Sequence, residues 1–223
     1  MMKMIPIHGD GRRRARPGET REAILAAAAD AFSAGGPAGA RMDAIAAAAG
    51  VNKALLYYYF KSKESLYQAV VEEHFEAFNR KALQVLNGPG PACRVLLQYA
   101  SMHFDFICER LRYASLYQQL MTAGGKPLER LVKKYFVPRS QALDRLLARG
   151  MRDGEFRKAE RMHTAISIVS MIVFYFSAAP VMKFMGRADP YSKAALKRRK
   201  QEVLDFIRHG LFTNPKAAIS ITS

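Results

Sequence analysis

Residues 42–67 read MDAIAAAAGVNKALLYYYFKSKESLY, and this stretch predicts two short helices joined by a tight turn. The first helix is expected over residues 42–49, where the alanines allow close approach of neighbouring backbones. Gly50 supplies the turn, and Asn52 is a good N-cap for a second helix over residues 53–59. Two short helices around a glycine turn are typical of the helix-turn-helix motif, which many DNA-binding proteins use.

The second of these helices carries side chains that suit a polyanionic partner. It opens with Lys53 and bears three consecutive tyrosines, Tyr57, Tyr58 and Tyr59. Ammonium and hydroxyl groups donate hydrogen bonds to phosphate oxygens, and the N-terminal end of such a helix enters the major groove in helix-turn-helix proteins. For Tyr57, a place in the hydrophobic core is an equally good interpretation.

The segments on either side of the motif also have helical patterns. Apolar residues recur every three to four positions after Thr20, which is expected to N-cap the first helix. The Gly-Gly-Pro sequence at 35–37 is expected to end that helix, because glycine tolerates a left-handed C-cap and proline stops continuation. Ser62 is expected to cap a further helix that starts at Lys63.

The rest of the chain also favours helices. A linker at 87–91 reads Asn-Gly-Pro-Gly-Pro. Helical patterns then continue at 95–110, 113–121, 128–151, 161–185 and 194–211. Since no strand-like alternation bounded by hairpin turns is present, we expect an all-α protein of about nine helices.

Composition and charge narrow the class of protein. Half of the 223 residues are hydrophobic, which suits a sizeable core, and the net charge of +16 suits nucleic acid or an anionic membrane surface as partner. The two cysteines, Cys93 and Cys108, would lie roughly 22 Å apart on one helix, too far for a disulfide. Absence of a disulfide framework fits a reducing cytoplasm.

The first eighteen residues have a character of their own. Residues 1–18 contain four arginines between positions 12 and 16 and no helical periodicity. We interpret them as a flexible basic arm, which either contacts DNA or is a passive tail. They lack the apolar run of a secretory signal, so the chain is expected in the cytoplasm.

The string from Asp43 to Tyr67 closely resembles the DNA-binding domain of the TetR family of bacterial transcriptional regulators. The pattern of that family reads roughly Ile-Ala-x-x-Ala-Gly-Val-Ser-x-x-x-Leu-Tyr-x-(Tyr/His)-Phe-x-(Ser/Asn)-Lys-x-x-Leu. The resemblance covers about residues 19–67 and implies a three-helix DNA-binding domain there. It further implies a helical ligand-binding and dimerisation domain over residues 68–223.

The resemblance also implies a function. The chain would be a repressor that binds a near-palindromic double-stranded DNA operator as a homodimer and is released from it by a small-molecule effector. Activation in the presence of the effector is the alternative sign of regulation, and thermodynamic linkage allows both.

Particular residues are implied to contact DNA. Lys53, Ala54 and Leu55 would open the recognition helix, and since the family more often has Gly and Thr at the last two positions, direct hydrogen bonding to bases would depend mainly on Lys53. Lys63 would bind a phosphate together with the amides of its helix N-terminus. Arg41 stands where Thr or Ser often caps the second helix, so a cap worth about 1 kcal/mol is missing. The implied contact residues are Thr20, Arg41, Met42, Asp43, Lys53, Ala54, Leu55, Tyr57, Tyr58, Tyr59 and Lys63.

Residues 164–182 carry no charge and are long enough to be a transmembrane candidate. Three serines, a threonine, a tyrosine and Pro180 argue against a membrane span. In the TetR family the last two helices form a four-helix dimer interface, which explains a helix that is apolar all round. A dimer or domain core is therefore favoured over a membrane-associated protein.

Candidates for the effector pocket are methionine, histidine and aromatic residues of the C-terminal half. Such side chains suit an adaptable pocket for a largely apolar or aromatic effector, although any one of them is more often an ordinary core residue. His103 and His163 could orient a polar group of the effector. The candidates are Met102, His103, Phe106, Tyr117, Met121, Tyr135, Phe136, His163, Met171, Phe174 and Tyr175.

A helical enzyme is the remaining alternative. The sequence contains no GxSxG, HExxH, P-loop or GxGxxG motif and no obvious nucleophile–base pair. No set of His, Cys and carboxylate residues has metal-ligand spacing. We therefore expect neither catalysis nor a metal or cofactor.

Overall fold

The computed structural model describes residues 17–111, 121–122, 124–186 and 189–216. Its helices are α1 (Pro17–Gly39), α2 (Met42–Ala48), α3 (Lys53–Tyr59), α4 (Lys63–Leu86), α5 (Ala92–Cys108), α6 (Gly125–Leu131), a π-helical segment (Val132–Phe136), α7 (Val137–Arg152), α8 (Arg161–Phe184) and α9 (Lys193–Leu211). The described ranges form no strand, so the prediction of an all-α fold is confirmed. Most of the predicted arm and of the predicted helix at 113–121 lies outside the described residues.

The first three helices and the start of α4 enclose one hydrophobic core. Its fully buried residues include Ile24 and Phe32 of α1, Ile45 of α2, Leu56 of α3 and Leu66 of α4. This packing leaves the other faces of α2 and α3 turned outward, which is what a DNA-binding element requires.

The two ends of α1 differ from the prediction in different ways. The helix begins at Pro17, which needs no N–H partner in a first turn, so the expected N-cap at Thr20 is wrong and Thr20 lies inside the helix. At the other end Gly36 has φ 66°, a left-handed value that glycine adopts without strain. The predicted break at 35–37 is therefore confirmed, although one more helical turn follows it.

α4 belongs to two packing units. Up to Val70 its buried residues lie in the N-terminal core, whereas Val71 and Phe75 pack with Leu131 and Tyr135 in a separate cluster. The remaining buried residues of α4 join the large core formed by α5, α7, α8 and α9. Because α4 continues through residue 67 without a break, the domain boundary expected there stays a prediction.

The π-helical segment joins α6 to α7 and ends two residues before a proline. Pro138, near the start of α7, has no N–H, and its ring would clash with the carbonyl of Lys134 in a regular α-helix. A wider π turn over Val132–Phe136 relieves this crowding. The same turn places Tyr135 in the cluster beside α4, and Phe136 packs against that cluster.

The start of α5 is capped by a residue from far along the chain. The backbone N–H groups of Ala92 and Cys93 donate to the Glu155 carboxylate at 2.9 and 2.8 Å. Partial burial acts to raise the pKa of Glu155, but these hydrogen bonds outweigh it, and the pKa lies below its usual value of 4.5. The helix therefore begins three residues earlier than predicted.

Beside Glu155, a pair of stacked aromatic rings packs the end of α9 against α7. The ring of Phe156 stacks on that of Phe212 with centroids 5.3 Å apart. It also lies on Gly150 of α7, where a Cβ atom would come within 2.2 Å of the ring. Thr213 donates its backbone N–H to the carbonyl of Glu155 at 3.0 Å, so the end of α9 is tied to this loop.

α8 presents an apolar surface to solvent. By length and composition it could cross a membrane, and 22% of its most apolar window is buried. Phe174, Val181 and Phe184 are more than half exposed, as is Phe206 of the adjacent α9. Both cysteines lie on α5 without a disulfide, as predicted.

Candidate DNA-binding surface and effector cavity

Local contacts set the angle between α2 and α3. Gly50 turns the chain with φ 68°, and the N–H of Val51 donates to the carbonyl of Ala46 at 3.0 Å. Asn52 is the N-cap of α3, as predicted, since its side chain accepts from the N–H of Leu55 at 2.7 Å. The buried side chain of Leu56 holds the underside of α3 on the core.

The upper face of α3 is exposed to solvent. Lys53, Ala54, Leu55, Tyr57 and Tyr58 all lie on it, and Tyr58 is 77% exposed. The alternative placement of Tyr57 in the core is therefore wrong. These five implied contact residues form one continuous surface, which we call the α3 face.

The other implied contact residues surround this face unevenly. Arg41 and Asp43 are exposed, and Tyr59 is half-buried against the core. Thr20 and Met42 are only 8% and 9% exposed, so the expectation of a side-chain contact with DNA from either is corrected to a mainly packing role. As expected, Arg41 makes no side-chain cap on α2.

An ion pair joins the beginnings of the two motif helices. The Lys53 ammonium lies 2.8 Å from the Asp43 carboxylate. A hydrogen bond to Lys53 and its charge lower the pKa of Asp43, and the same contact raises the pKa of Lys53. Lys53 is thus charged and held at the N-terminal end of α3.

Lys63 connects the start of α4 to the end of α1. Its ammonium donates to the carbonyl oxygens of Ala38 and Ala40, both at 3.4 Å. Ser62 caps α4 as predicted, in a reciprocal arrangement with Ser65 in which each side chain accepts from the other residue's N–H at 3.1 Å. The Lys63 charge therefore lies beside a well-ordered helix N-terminus.

The C-terminal half contains a cavity of about 550 Å³ between α4, α5, the π-helical segment, α7 and α8. Its walls are mostly aromatic and aliphatic. Among the residues that line it are His74, Phe75, Phe78, Tyr99, His103, Phe106, Phe136, Arg110, Arg139 and Phe176. A volume of this size is typical of sites for small organic ligands.

Few of the predicted pocket residues line this cavity. His103, Phe106 and Phe136 do, whereas Tyr117 lies outside the described residues. Met121 and Tyr135 pack instead in or against the cluster beside α4. For both, the expectation of a place on the cavity wall is corrected.

The other predicted pocket residues face elsewhere. Met102 is half-buried against the large core, and His163 and Phe174 are exposed. The Tyr175 hydroxyl donates to the carbonyl of Pro190 at 2.7 Å, and the carbonyl of Met171 accepts from Arg199 at the same distance, so this side of α8 faces α9. The expectation that these five residues line the cavity is therefore corrected as well.

The sequence reasoning missed a whole wall of the cavity, the one that α4 provides. His74, Phe75 and Phe78 lie on one side of this helix, and the Phe78 ring centroid is 4.5 Å from that of His103. Arg139 was also missed, and its guanidinium carbon lies 4.9 and 4.7 Å from the ring centroids of Phe78 and Phe136. The sequence feature that could have indicated this wall is the cluster of aromatic residues within about one turn of α4.

Burial keeps the cavity histidines neutral. It lowers the pKa of His74 to about 4, with a smaller effect from the charge of Arg110. It lowers the pKa of His103 to about 3, with a smaller effect from Arg139. At neutral pH the cations of the described cavity wall are therefore the two arginines.

Comparisons with known proteins agree with this architecture. Residues 24–70 match the family described as bacterial regulatory proteins, tetR family. Residues 98–207 match a family described as the tetracyclin repressor-like C-terminal domain. The two matches together include the α3 face and most of the helices around the cavity.

Individual relatives support the two matches. The HTH-type transcriptional repressor NicS of Pseudomonas putida is 29% identical over 205 residues, which cover 88% of this chain and 92% of NicS. The HTH-type transcriptional regulator RutR of Escherichia coli K12 is 48% identical over 63 residues, or 28% of this chain and 30% of RutR. A transcriptional regulator from Saccharomonospora viridis, crystallised in complex with choline, has a TM-score of 0.72 at 18% identity and covers 88% of this chain and 100% of its own.

Proposed function

This chain belongs to the TetR family of bacterial transcriptional regulators, and we propose that it is a repressor that leaves its operator when an effector occupies the cavity between α4 and α8. The observation that carries the proposal is the α3 face. Buried Leu56 fixes α3 on its core, while Lys53 and Tyr58 point to solvent beside it. Such a helix can enter a major groove with its lysine end first.

A homodimer is proposed to form through α8 and α9. The exposed apolar side chains of Phe174, Val181 and Phe206 would be covered by the same surface of a second copy. In that arrangement the two α3 helices would lie about one turn of DNA apart, roughly 34 Å, and would read a near-palindromic operator. The same contact removes the reason to place α8 in a membrane.

α4 offers a route by which an effector can act on DNA binding. Its first turn is held to the DNA-binding core through Lys63, and eleven positions later His74 lines the cavity. An effector that binds more tightly to a dimer with another spacing of the α3 helices lowers DNA affinity by that difference in binding free energy.

Repression is the proposed sign because NicS, a repressor, matches along nearly its whole length. Activation by the effector remains the second candidate, and a reporter gene under the selected operator decides between them. Expression that rises when the gene for this chain is deleted supports repression, and expression that falls supports activation. The proposed location is the cytoplasm, where operator DNA is accessible, and no catalytic step is proposed.

The experiment that tests DNA binding is selection of bound sequences from random duplex DNA with the full chain. We expect an enriched palindrome and an affinity that falls steeply with salt. Lys53→Ala and Tyr58→Ala should each weaken operator binding, whereas Lys158→Ala, an exposed lysine far from α3, should not. Equal affinity of all three variants, or no enriched sequence, would overturn the proposal.

A further inference from the structure

We propose that the effector is an amphipathic acid, with an apolar or aromatic body and a carboxylate that binds Arg139. The inference rests on the proposed function only in taking the cavity between α4 and α8 as the effector site. It specifies the chemical class of the effector, which the family match leaves open.

The charge of the described cavity wall is the first argument. Arg110 and Arg139 contribute to the wall, and the described lining contains no aspartate or glutamate. Glu109 pairs with Arg110 at 2.9 Å on the exposed side, so part of that charge is already compensated outside the cavity. The net charge of the described lining is positive, and it favours an anionic ligand over a neutral or cationic one.

The position of Arg139 is the second argument. Its guanidinium lies between the rings of Phe78 and Phe136, at 4.9 and 4.7 Å from their centroids. Stacking of this kind orients the planar group, and a guanidinium binds a carboxylate through two parallel hydrogen bonds. An acid that enters the cavity meets a cation that is already oriented.

The neighbouring polar atoms are the third argument. Nδ1 of His103 is buried and has no hydrogen-bond partner among the described residues, although the side chain lines the cavity and is only 5% exposed. Buried polar atoms in proteins are almost always hydrogen-bonded. The Tyr99 hydroxyl is buried in the same wall, close enough for the charge of Arg139 to act on it. A carboxylate on Arg139 gives Nδ1 of His103 a partner.

The remaining lining suits the body of the ligand. Phe106, Leu143, Val169 and Phe176 contribute apolar surface to the cavity wall. A cavity of about 550 Å³ accommodates a medium-length alkyl chain or one to two aromatic rings. A quaternary ammonium such as the choline in the Saccharomonospora viridis regulator would lie here beside two arginines, with no carboxylate among the described lining residues.

The test compares acids with their neutral amides on the purified full-length protein. The probes are octanoate, decanoate, benzoate and 1-naphthoate, the four matching amides, and choline. Thermal shift at millimolar concentration ranks them, and isothermal titration calorimetry gives Kd for the best pair. We expect at least one acid to raise Tm well above its amide, and choline to have no effect.

Two variants locate the charge. Arg139→Gln should weaken binding of the best acid by about tenfold or more, because a charge-assisted bidentate contact is lost, and should leave binding of its amide nearly unchanged. Arg145→Gln, an exposed arginine on the same helix, is the matched control and should bind both like the wild type. If Arg139→Gln does not fold, Arg139→Lys provides the same comparison, with an intermediate loss.

Several results would overturn the inference. They are amides or choline that bind as well as the acids, an Arg139→Gln protein that keeps its preference for the acid, or a panel in which no acid binds. Operator binding without any probe is measured in parallel. If the wild-type protein does not bind the operator, the proposed function is contradicted. If it binds the operator but shows no preference for acids over amides, only this inference is contradicted.

Discussion

The first residue of α3 is ion-paired to the second residue of α2, with the Lys53 ammonium 2.8 Å from the Asp43 carboxylate. Both side chains are more than half exposed. The ammonium group of Lys53, at the end of α3 that is proposed to enter the major groove, is therefore already paired with a carboxylate on the same surface. When DNA binds, phosphate or base oxygens must compete with Asp43 for this ammonium.

Replacement of this acid should strengthen DNA binding in general. Asp43→Asn frees Lys53 and removes a negative charge from the α3 face, so we expect affinity for random duplex to rise by about two- to fivefold at low salt. Operator affinity should rise less, so that the specificity ratio falls. Fluorescence anisotropy with both duplexes measures these affinities. The control is Glu73→Gln, which removes the charge of an exposed glutamate ten residues after the start of α4. A lower affinity for random duplex would count against the competition.

Removal of the Lys63 charge should weaken DNA binding without regard to sequence. Lys63→Ala deletes a cation beside the N-terminus of α4, and a lost phosphate contact makes the slope of log K against log salt shallower by about one unit. The contacts with Ala38 and Ala40 are also lost, so Tm is measured alongside. Lys158→Ala is the matched control. An unchanged salt slope would leave Lys63 with a packing role alone.

Gly150→Ala should destabilise the protein. A new Cβ would overlap the buried ring of Phe156, and overpacking of this kind costs more than the roughly 1 kcal/mol that alanine gains in a helix. We expect a net loss of about 1–2 kcal/mol in urea unfolding followed by circular dichroism at fixed protein concentration. Gly210→Ala, where no atom lies within 4 Å of the added Cβ, should be neutral or stabilising. Equal stability of the two variants would refute the close contact.

Glu155→Gln should lower stability in a way that depends on pH. The pKa of Glu155 is lower in the folded protein than its usual value of 4.5, so the ionised form stabilises the fold above that pH, and this contribution is lost as the pH falls through the folded pKa. We expect a loss of about 1 kcal/mol at pH 7 that shrinks below pH 4.5. Glu73→Gln again serves as control. A difference that stays constant down to pH 3 would show that the carboxylate charge is not what matters.

The DNA-binding half could be predicted because its signals are local. The caps at Asn52 and Ser62 act within three residues, and Gly50 sets its turn alone, so the starts of α3 and α4 follow from short stretches of sequence. The start of α5 differs from the prediction because its cap, Glu155, lies 62 residues from Cys93.

The cavity shows the same limit more strongly. Phe106 and Phe174 are both aromatic residues on apolar helices, yet one lines the cavity and the other is exposed. His103 and His163 differ in the same way. The rotation of each helix about its axis decides which side chains face inward, and that rotation depends on packing between distant segments.

The change from one packing unit to the next between Val70 and Val71 of α4 has a consequence for how such proteins diversify. No residue of the N-terminal core is among the described residues that line the cavity. Substitutions that change which effector binds therefore need not disturb the surface that contacts DNA. A lineage can exchange one chemical signal for another while its target genes stay the same, and it can acquire new target genes while it still answers to the old signal.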